Sequence, residues 1–252
     1  MSRLIAVLFC LLAINIAVPV CASEGAKLPH QDWSFDGVFG TYDRAALQRG
    51  YKVYSQVCAA CHSMDRVAYR NLTDLGYTEA QVKAIAANYM VEDGPNDEGD
   101  MFERPALPSD HFPNPYLNKK AAAYANNGAV PPDMSLLAKA RHNGPDYIYA
   151  IITGFREAPA DHELLPGQYW NAYMPGNVIA MAPPLSDGIV SYEDGSPETV
   201  AQYAKDLAHF LTWAAEPHME ARKRAGIKAF LFLLAFTGVM YAVKRKVWAD
   251  VH

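Results

Sequence analysis

Cys58-Ala59-Ala60-Cys61-His62 constrains this chain more than any other run of residues in it. Cys-x-x-Cys-His is a c-type haem attachment signature. The two thiols add across the haem vinyl groups as thioethers. Two intervening residues set the sulfur separation that the porphyrin demands, and the adjacent imidazole then lies under the iron as proximal ligand. Other uses of the motif fit less well. A redox-active Cys-x-x-Cys belongs beside a βαβ pattern, which this sequence lacks. A zinc site takes about four ligands, and the other two cysteines, Cys10 and Cys21, fall in an N-terminal leader.

That leader covers residues 1–22. Arg3 is a short basic start, Leu4 to Val20 is apolar apart from Asn15 and Pro19, and Val20-Cys21-Ala22 reads as a small-residue cleavage site before Ser23. An export signal that is removed leaves Cys58 and Cys61 as the only thiols of the mature chain, consistent with covalent haem attachment in a periplasm. Near the other end, Ala229 to Val243 carries no charge. Extended back to Gly226 the run has 18 residues, about 27 Å of helix, just short of a ~30 Å hydrocarbon core. Arg222-Lys223-Arg224 and Lys244-Arg245-Lys246 bracket it, Lys228 can snorkel, and Trp248 suits the interface beyond. A core helix would not be apolar on every face with basic clusters at both ends. The sequence therefore predicts a membrane anchor over residues 222–246, an exported domain over 23–221 and a short inner tail over 247–252. Together these make a single-pass protein of a bacterial inner membrane with its haem domain in the periplasm.

Charge is divided between these parts. Residues 23–221 hold 14 Lys and Arg against 26 Asp and Glu, whereas residues 222–252 hold seven basic residues and only Asp250. A strongly acidic exported domain argues against nucleic acid as a partner and for basic protein partners.

Helical signals are spaced along the domain. Tyr42 to Val57 puts Leu47, Tyr51 and Tyr54 on one stripe that runs into Cys58. Thr78-Glu79-Ala80-Gln81 has the form of a capping box. Asn143-Gly144-Pro145 opens a helix that Gly154 stops. Ser196 with Pro197 behind it predicts a helix start, followed by the apolar stripe of Val200, Tyr203, Leu207, Phe210 and Leu211. Glu216-Pro217 marks a join before the anchor. Residues 91–133 and 155–195 are rich in Pro, Gly, Asn and aromatics, with little alternation. Loops of that length need something else to organise them, and a large buried cofactor would do so. The fold class expected is mainly α: a cytochrome c-like domain with long irregular loops plus one C-terminal transmembrane helix.

Whether iron is open to substrate depends on its sixth ligand. A Met thioether favours ferrous iron and raises the potential. Met174, before Pro175, and Met181, before Ala182-Pro183-Pro184, are equal candidates by composition, each in a rigid Pro-containing loop.

Further segments carry a resemblance. Glu92-Asp93-Gly94-Pro95-Asn96, Met101-Phe102-Glu103-Arg104-Pro105, Asn126-Asn127-Gly128-Ala129 and Pro131-Pro132-Asp133-Met134-Ser135 follow the haem motif. Arg141-His142, Ile179-Ala180-Met181-Ala182-Pro183-Pro184-Leu185 and Trp213-Ala214-Ala215-Glu216-Pro217 come after them. In this order the segments resemble the cytochrome c1 family, the haem subunits of ubiquinol–cytochrome c reductase, over most of the mature chain. The resemblance implies one covalent haem c on Cys58 and Cys61, with His62 and Met181 as axial ligands. It places Arg141 and Tyr147 near the haem edge or its propionates, and Asn126 and Pro132 in a loop packed on the haem. It also implies no bond-making chemistry in this chain. It implies that one electron passes from a Rieske iron–sulfur protein to a soluble basic cytochrome c, with cytochrome b and membrane lipid around the anchor. Some bacterial relatives carry an extra disulfide. This chain has no Cys for it, so the pocket is expected to be held by packing alone.

Two other functions remain open on the residues: a haem enzyme or gas sensor with an open sixth site, and an anchored cytochrome subunit of a terminal oxidase. Glu92, Asp93, Asp97, Glu98, Asp100 and Glu103 place six carboxylates within 12 positions. Such a run is either a solvated loop or a steering surface for a basic partner; it lacks the spacing of a calcium loop.

Overall fold

The computed structural model describes residues 26–250; the leader, including Cys10 and Cys21, lies outside the described residues. Two helices form the frame. α1, Arg44–Gln56, starts where Asp43 accepts hydrogen bonds from the Ala45 and Ala46 amides and buries Leu47, Gly50, Tyr51, Val53 and Tyr54. It lies against Val200–Ala215, the longest helix of the domain, which buries Tyr203, Leu207, Phe210, Leu211 and Trp213 completely or nearly so. The two backbones meet at Gly50, where a Cβ would stand 2.1 Å from the carbonyl oxygen of Asp206. Only glycine permits that approach.

Beside this contact Arg49 binds the buried Asp206 carboxylate through two bonds of 2.9 Å, and Tyr192 and Gln202 each donate to it at 3.0 Å. A charge removed from water is tolerated because it is paired and its lone pairs are filled.

Between these helices the chain runs through α2 (Glu79–Ala86), α3 (Lys119–Ala125), α4 (Leu137–Ala140) and α5 (Gly144–Thr153), which makes Val200–Ala215 the sixth helix, α6. The capping box of α2 forms as its sequence suggests, with Thr78 and Gln81 satisfying each other's amides. The expected start at Ser196 is not used. α6 begins at Val200 with Thr199 as its cap, because Asp194 accepts the Ser196 amide and Asp187 accepts the Val200 amide, which holds the preceding stretch in a turn.

The irregular stretches also hold more order than their composition indicates. β1 (Met90–Asp93) pairs antiparallel with β2 (Phe102–Pro105), and β3 (Tyr169–Trp170) with β4 (Val178–Ile179).

α7, Met219–Val247, is 29 residues long, about 43 Å of helix. From Lys228 onward all its residues are exposed. It is long and apolar enough to cross a membrane, and it is apolar all round rather than on one face. Its base is sutured to the domain. Glu216 binds Lys139 at 3.3 Å and Arg222 at 2.5 Å, and Glu220 accepts from the Tyr42 amide at 2.8 Å and from Arg44 at 3.0 Å.

Candidate functional site

α1 delivers the haem motif directly. It ends at Gln56, and Cys58–Ala60 then form one 3-10 turn in which the amides of Cys61 and His62 both donate to the Cys58 carbonyl, at 3.1 and 2.9 Å. Tyr54, one turn back on α1, donates its hydroxyl to the His62 carbonyl at 3.2 Å. Cys58 is buried and its thiol pushed up to about 12 by desolvation, while Cys61 is half-buried; both are free thiols. Among the described residues no three His, Cys, Asp or Glu side chains converge as a metal ion held by protein alone would require, so the zinc alternative has no ligand set there.

His62 is oriented by a contact that the motif alone does not reveal. Its Nδ1 lies 2.9 Å from the carbonyl oxygen of Pro132. A carbonyl only accepts, so Nδ1 carries the proton and Nε2 keeps its lone pair. Burial pushes the imidazole pKa down, against the opposing pull of that hydrogen bond. The ring is thus neutral with one nitrogen free, the form a metal ligand takes.

Asp133 fixes the Pro132 carbonyl in turn. Its carboxylate accepts from Ser63 Oγ at 3.0 Å, the Asp65 amide at 2.8 Å and the Ser135 amide at 2.9 Å. The Met134 amide donates to the Ser63 carbonyl at 2.9 Å, and the Arg66 amide to Ser135 Oγ at 3.1 Å. This lacing corrects the expectation that the pocket is held by packing alone. Asp133, Ser63 and Ser135 were missed as site residues, although Pro-Pro-Asp-x-Ser is a readable Asx-turn signal.

The methionines separate by burial. Met64, Met134 and Met219 are core residues, while Met90, Met101 and Met240 are exposed. Among the described methionines only Met174 and Met181 are half-buried. The Met174 sulfur lies 3.9 Å from the Tyr147 hydroxyl. Met181 packs at the margin of the core just past β4. The hairpin of β3 and β4 that leads to both is fastened to α5 by the fully buried Asn171, whose amide nitrogen donates to the Ile151 carbonyl at 2.7 Å. Asn177, at φ +59°, closes it.

Arg141 and Tyr147 come together, with the guanidinium 5.8 Å from the ring centre. Arg141 is exposed and, among the described residues, pairs with no carboxylate. Asn126 is not joined to this group by a hydrogen bond. It caps α3 and donates to the Tyr116 hydroxyl at 3.1 Å and the Ala122 carbonyl at 2.8 Å, binding its loop to itself. Val130 and Leu136, on either side of Pro132 along the chain, stay exposed. The residues present therefore fit a haem: two free thiols on one tight turn, an imidazole with Nε2 free, half-buried thioethers, an unpaired guanidinium and open apolar side chains.

Comparisons with known proteins agree with this chemistry. Residues 33–251 match the model of the Cytochrome C1 family. A cytochrome b/c1 of Bradyrhizobium diazoefficiens is 52% identical over 92% of this chain, which spans 37% of that relative's length. The cytochrome c1 of Rhodospirillum rubrum is 46% identical over 90% of the chain and 89% of its own. A mitochondrial cytochrome c1 heme protein of Arabidopsis thaliana is 51% identical over 89% of the chain and 73% of its own.

Proposed function

Because the chain belongs to the cytochrome c1 family, we propose that it is the haem-carrying electron-transfer subunit of a ubiquinol–cytochrome c reductase. It accepts one electron from the Rieske iron–sulfur protein and passes it to a soluble basic cytochrome c. The observation that carries this reading is the His62–Pro132 hydrogen bond, which leaves Nε2 free beside two free thiols.

When bound, haem c supplies a one-electron iron couple. Cys58 and Cys61 would hold it as thioethers, and His62 and Met181 would bind its iron. Met181 is preferred over Met174 because the Met174 sulfur already faces the Tyr147 hydroxyl. The work of this chain's own residues is positioning. Pro132, through Asp133, keeps His62 in one tautomer and orientation. Arg141, held over Tyr147, would offer a cation to the propionates, and Asn126 keeps its own loop folded. A ligand set closed by His62 and Met181 would leave no room for substrate at iron, which favours a relay over an enzyme with an open sixth site.

The leader 1–22 would be removed, residues 23–221 would form the periplasmic domain, and 222–246 would anchor it in the bacterial inner membrane beside cytochrome b, with 247–252 inside. The name of the Bradyrhizobium relative joins b and c1, which supports that neighbour.

The acidic run supports a basic partner. It forms the hairpin of β1 and β2, and among the described residues Asp93 alone of its carboxylates is engaged by an arginine, Arg104. Glu92 and Glu103 stand directly opposite each other across the strands, a like-charge pairing that costs stability and is relieved when a cation approaches. Reaction with a basic cytochrome c should slow steeply as salt rises toward physiological ionic strength; a rate indifferent to salt would exclude steering.

The deciding measurement is a reduced-minus-oxidised spectrum of the purified complex with Met181→Leu beside wild type. Loss of the far-red sulfur–iron band with a large fall in potential is expected. Unchanged spectra would move the assignment to Met174 or a histidine.

A further inference from the structure

The turn between Phe35 and Gly40 exposes its two largest side chains. Val38 is 62% exposed and Phe39 83%, yet the turn is firmly built. Trp33 and Phe35 stack at 5.5 Å and are buried at its root. The Asp36 amide donates to the Trp33 carbonyl at 3.1 Å and the Thr41 amide to the Ser34 carbonyl at 3.0 Å. Gly40 closes the neck, where a Cβ would meet the Asp36 carbonyl oxygen at 2.0 Å. Gly37, at φ +68°, makes the bend. A stiff turn that holds an aromatic out into water has lost the usual gain from burying it.

Its position along α7 says what covers it. The Tyr42 hydroxyl donates to the Glu216 carbonyl at 2.8 Å. The Tyr42 amide and Arg44 bind Glu220, one turn further on. Lys223, further still, donates its ammonium to the carbonyls of Phe35 at 2.5 Å and Gly40 at 3.2 Å, at the neck of the turn. On α7 the contacts thus run from Glu220, which holds Tyr42 and Arg44, to Lys223, which holds the neck of the turn one step nearer the apolar part of the helix. Lys223 stands six residues before Ala229, about 9 Å along the axis, and the polar interface of a bilayer is roughly 5–7 Å deep on each side. Ile227, one turn past Lys223, is half-buried, and from Lys228 onward the helix is exposed. Arg222 and Arg224 pair with Glu216 and Glu220, and Lys228, exposed one turn past Arg224, supplies positive charge suited to anionic headgroups.

We propose that the Asp36–Gly40 turn is a second membrane contact, with Val38 and Phe39 seated among the lipid headgroups and upper acyl chains beside the entry of α7. The contact adds a second point of attachment to the sutured base of α7, which together fix the tilt of the domain on the membrane. It rests on the reading that α7 spans the bilayer.

The test is nitroxide labelling of Phe39→Cys in the purified complex, reconstituted in vesicles of phosphatidylethanolamine and phosphatidylglycerol. Accessibility to oxygen and to a water-soluble nickel chelate is then compared with that of labels at Leu234→Cys in α7 and at Leu117→Cys, which is 95% exposed on the domain. The expected oxygen-to-nickel ratio at position 39 is several-fold above that at 117 and below that at 234. A ratio at 39 equal to that at 117, with 234 deep, overturns the turn as a membrane contact while α7 still spans. A label at 39 shielded from both reagents overturns lipid in favour of a protein neighbour. An aqueous label at 234 overturns the spanning helix, and the proposal with it.

Discussion

The frame of α1 and α6 and the ligand side built from residues 126–135 and 169–181 are held together by different means. On the frame, large side chains such as Leu47, Leu207, Phe210 and Trp213 are fully buried, two helix backbones touch at Gly50, and the polar network around Asp206 is set into that packing. On the ligand side, chain direction is set by single polar side chains, Asp133 and Asn171, each tying its own turn to a segment distant in sequence. Packing spreads stability over many contacts, whereas point hydrogen bonds concentrate it in one residue and tolerate open apolar neighbours such as Val130 and Leu136. A wall meant to receive a prosthetic group can be built the second way, because its remaining apolar contacts come from the group.

The sharpest test of the difference is Gly50→Ala. The new methyl meets a backbone carbonyl rather than a flexible side chain, so α1 and α6 must separate. The expected cost is on the order of 3 kcal/mol, equivalent to about 6–12 °C in Tm for a domain of this size. Haem staining of the protein that does fold should be unchanged. A Tm within a degree or two of wild type would mean that the frame is not close-packed at that crossing.

The converse is Asp133→Ala. It leaves the Asp65 and Ser135 amides and the Ser63 hydroxyl without their acceptor, a loss of about 1–3 kcal/mol confined to the ligand side. The expected Tm change is no larger than that of Gly50→Ala, while the reduction potential and the haem spectrum shift more than in any frame variant, because the carbonyl that orients His62 is no longer fixed. An equal fall in Tm with an unchanged spectrum would erase the distinction between the two regions.

The same division separates what the sequence shows from what it hides. α1, α2, α5 and α6 are visible because an apolar stripe at helical spacing is the direct signature of a packed face, as Tyr203, Leu207, Phe210 and Leu211 illustrate. The haem motif is visible because thioether chemistry fixes its spacing. The start of α6 was misplaced at Ser196 because the cap competes with a turn that Asp187 and Asp194 make from outside the helix. The roles of Asp133 and Asn171 were hidden for a deeper reason. Their partners stand 68–70 and 20 residues away, and no local periodicity encodes a contact of that kind. Likewise β1 with β2, and β3 with β4, are too short to alternate legibly, and turn geometry rather than strand pattern sets their register.

The smallest expected effects lie where single polar contacts also join the frame to its appendages, and there the two ends of the domain should answer pH in opposite directions. At the base of α7 the Glu216 carboxyl is held below its ordinary pKa by the Arg222 hydrogen bond, opposed by burial and helped by Lys139. A depressed carboxylate stabilises the folded joint above its unfolded pKa of about 4.3 and loses that contribution as pH falls through the lower folded value. At the N-terminal segment, His30 is raised by its hydrogen bond to Asp146 and by that carboxylate's charge, with smaller contributions from Asp32 and Asp36. A raised histidine contributes fully below about pH 6.5, and the contribution disappears as pH rises through the folded value. The Asp146 carboxylate keeps the Gln31 amide and the Trp33 indole whether or not His30 is charged, so the segment loosens without detaching. Amide exchange, corrected for its intrinsic pH dependence, should therefore speed up at residues 27–31 between pH 6 and pH 8 while residues 217–221 stay constant. Below pH 4.5 the order should reverse. Parallel changes at both ends would mean that the joints are held by packing, as the frame is, and not by the charges that face them.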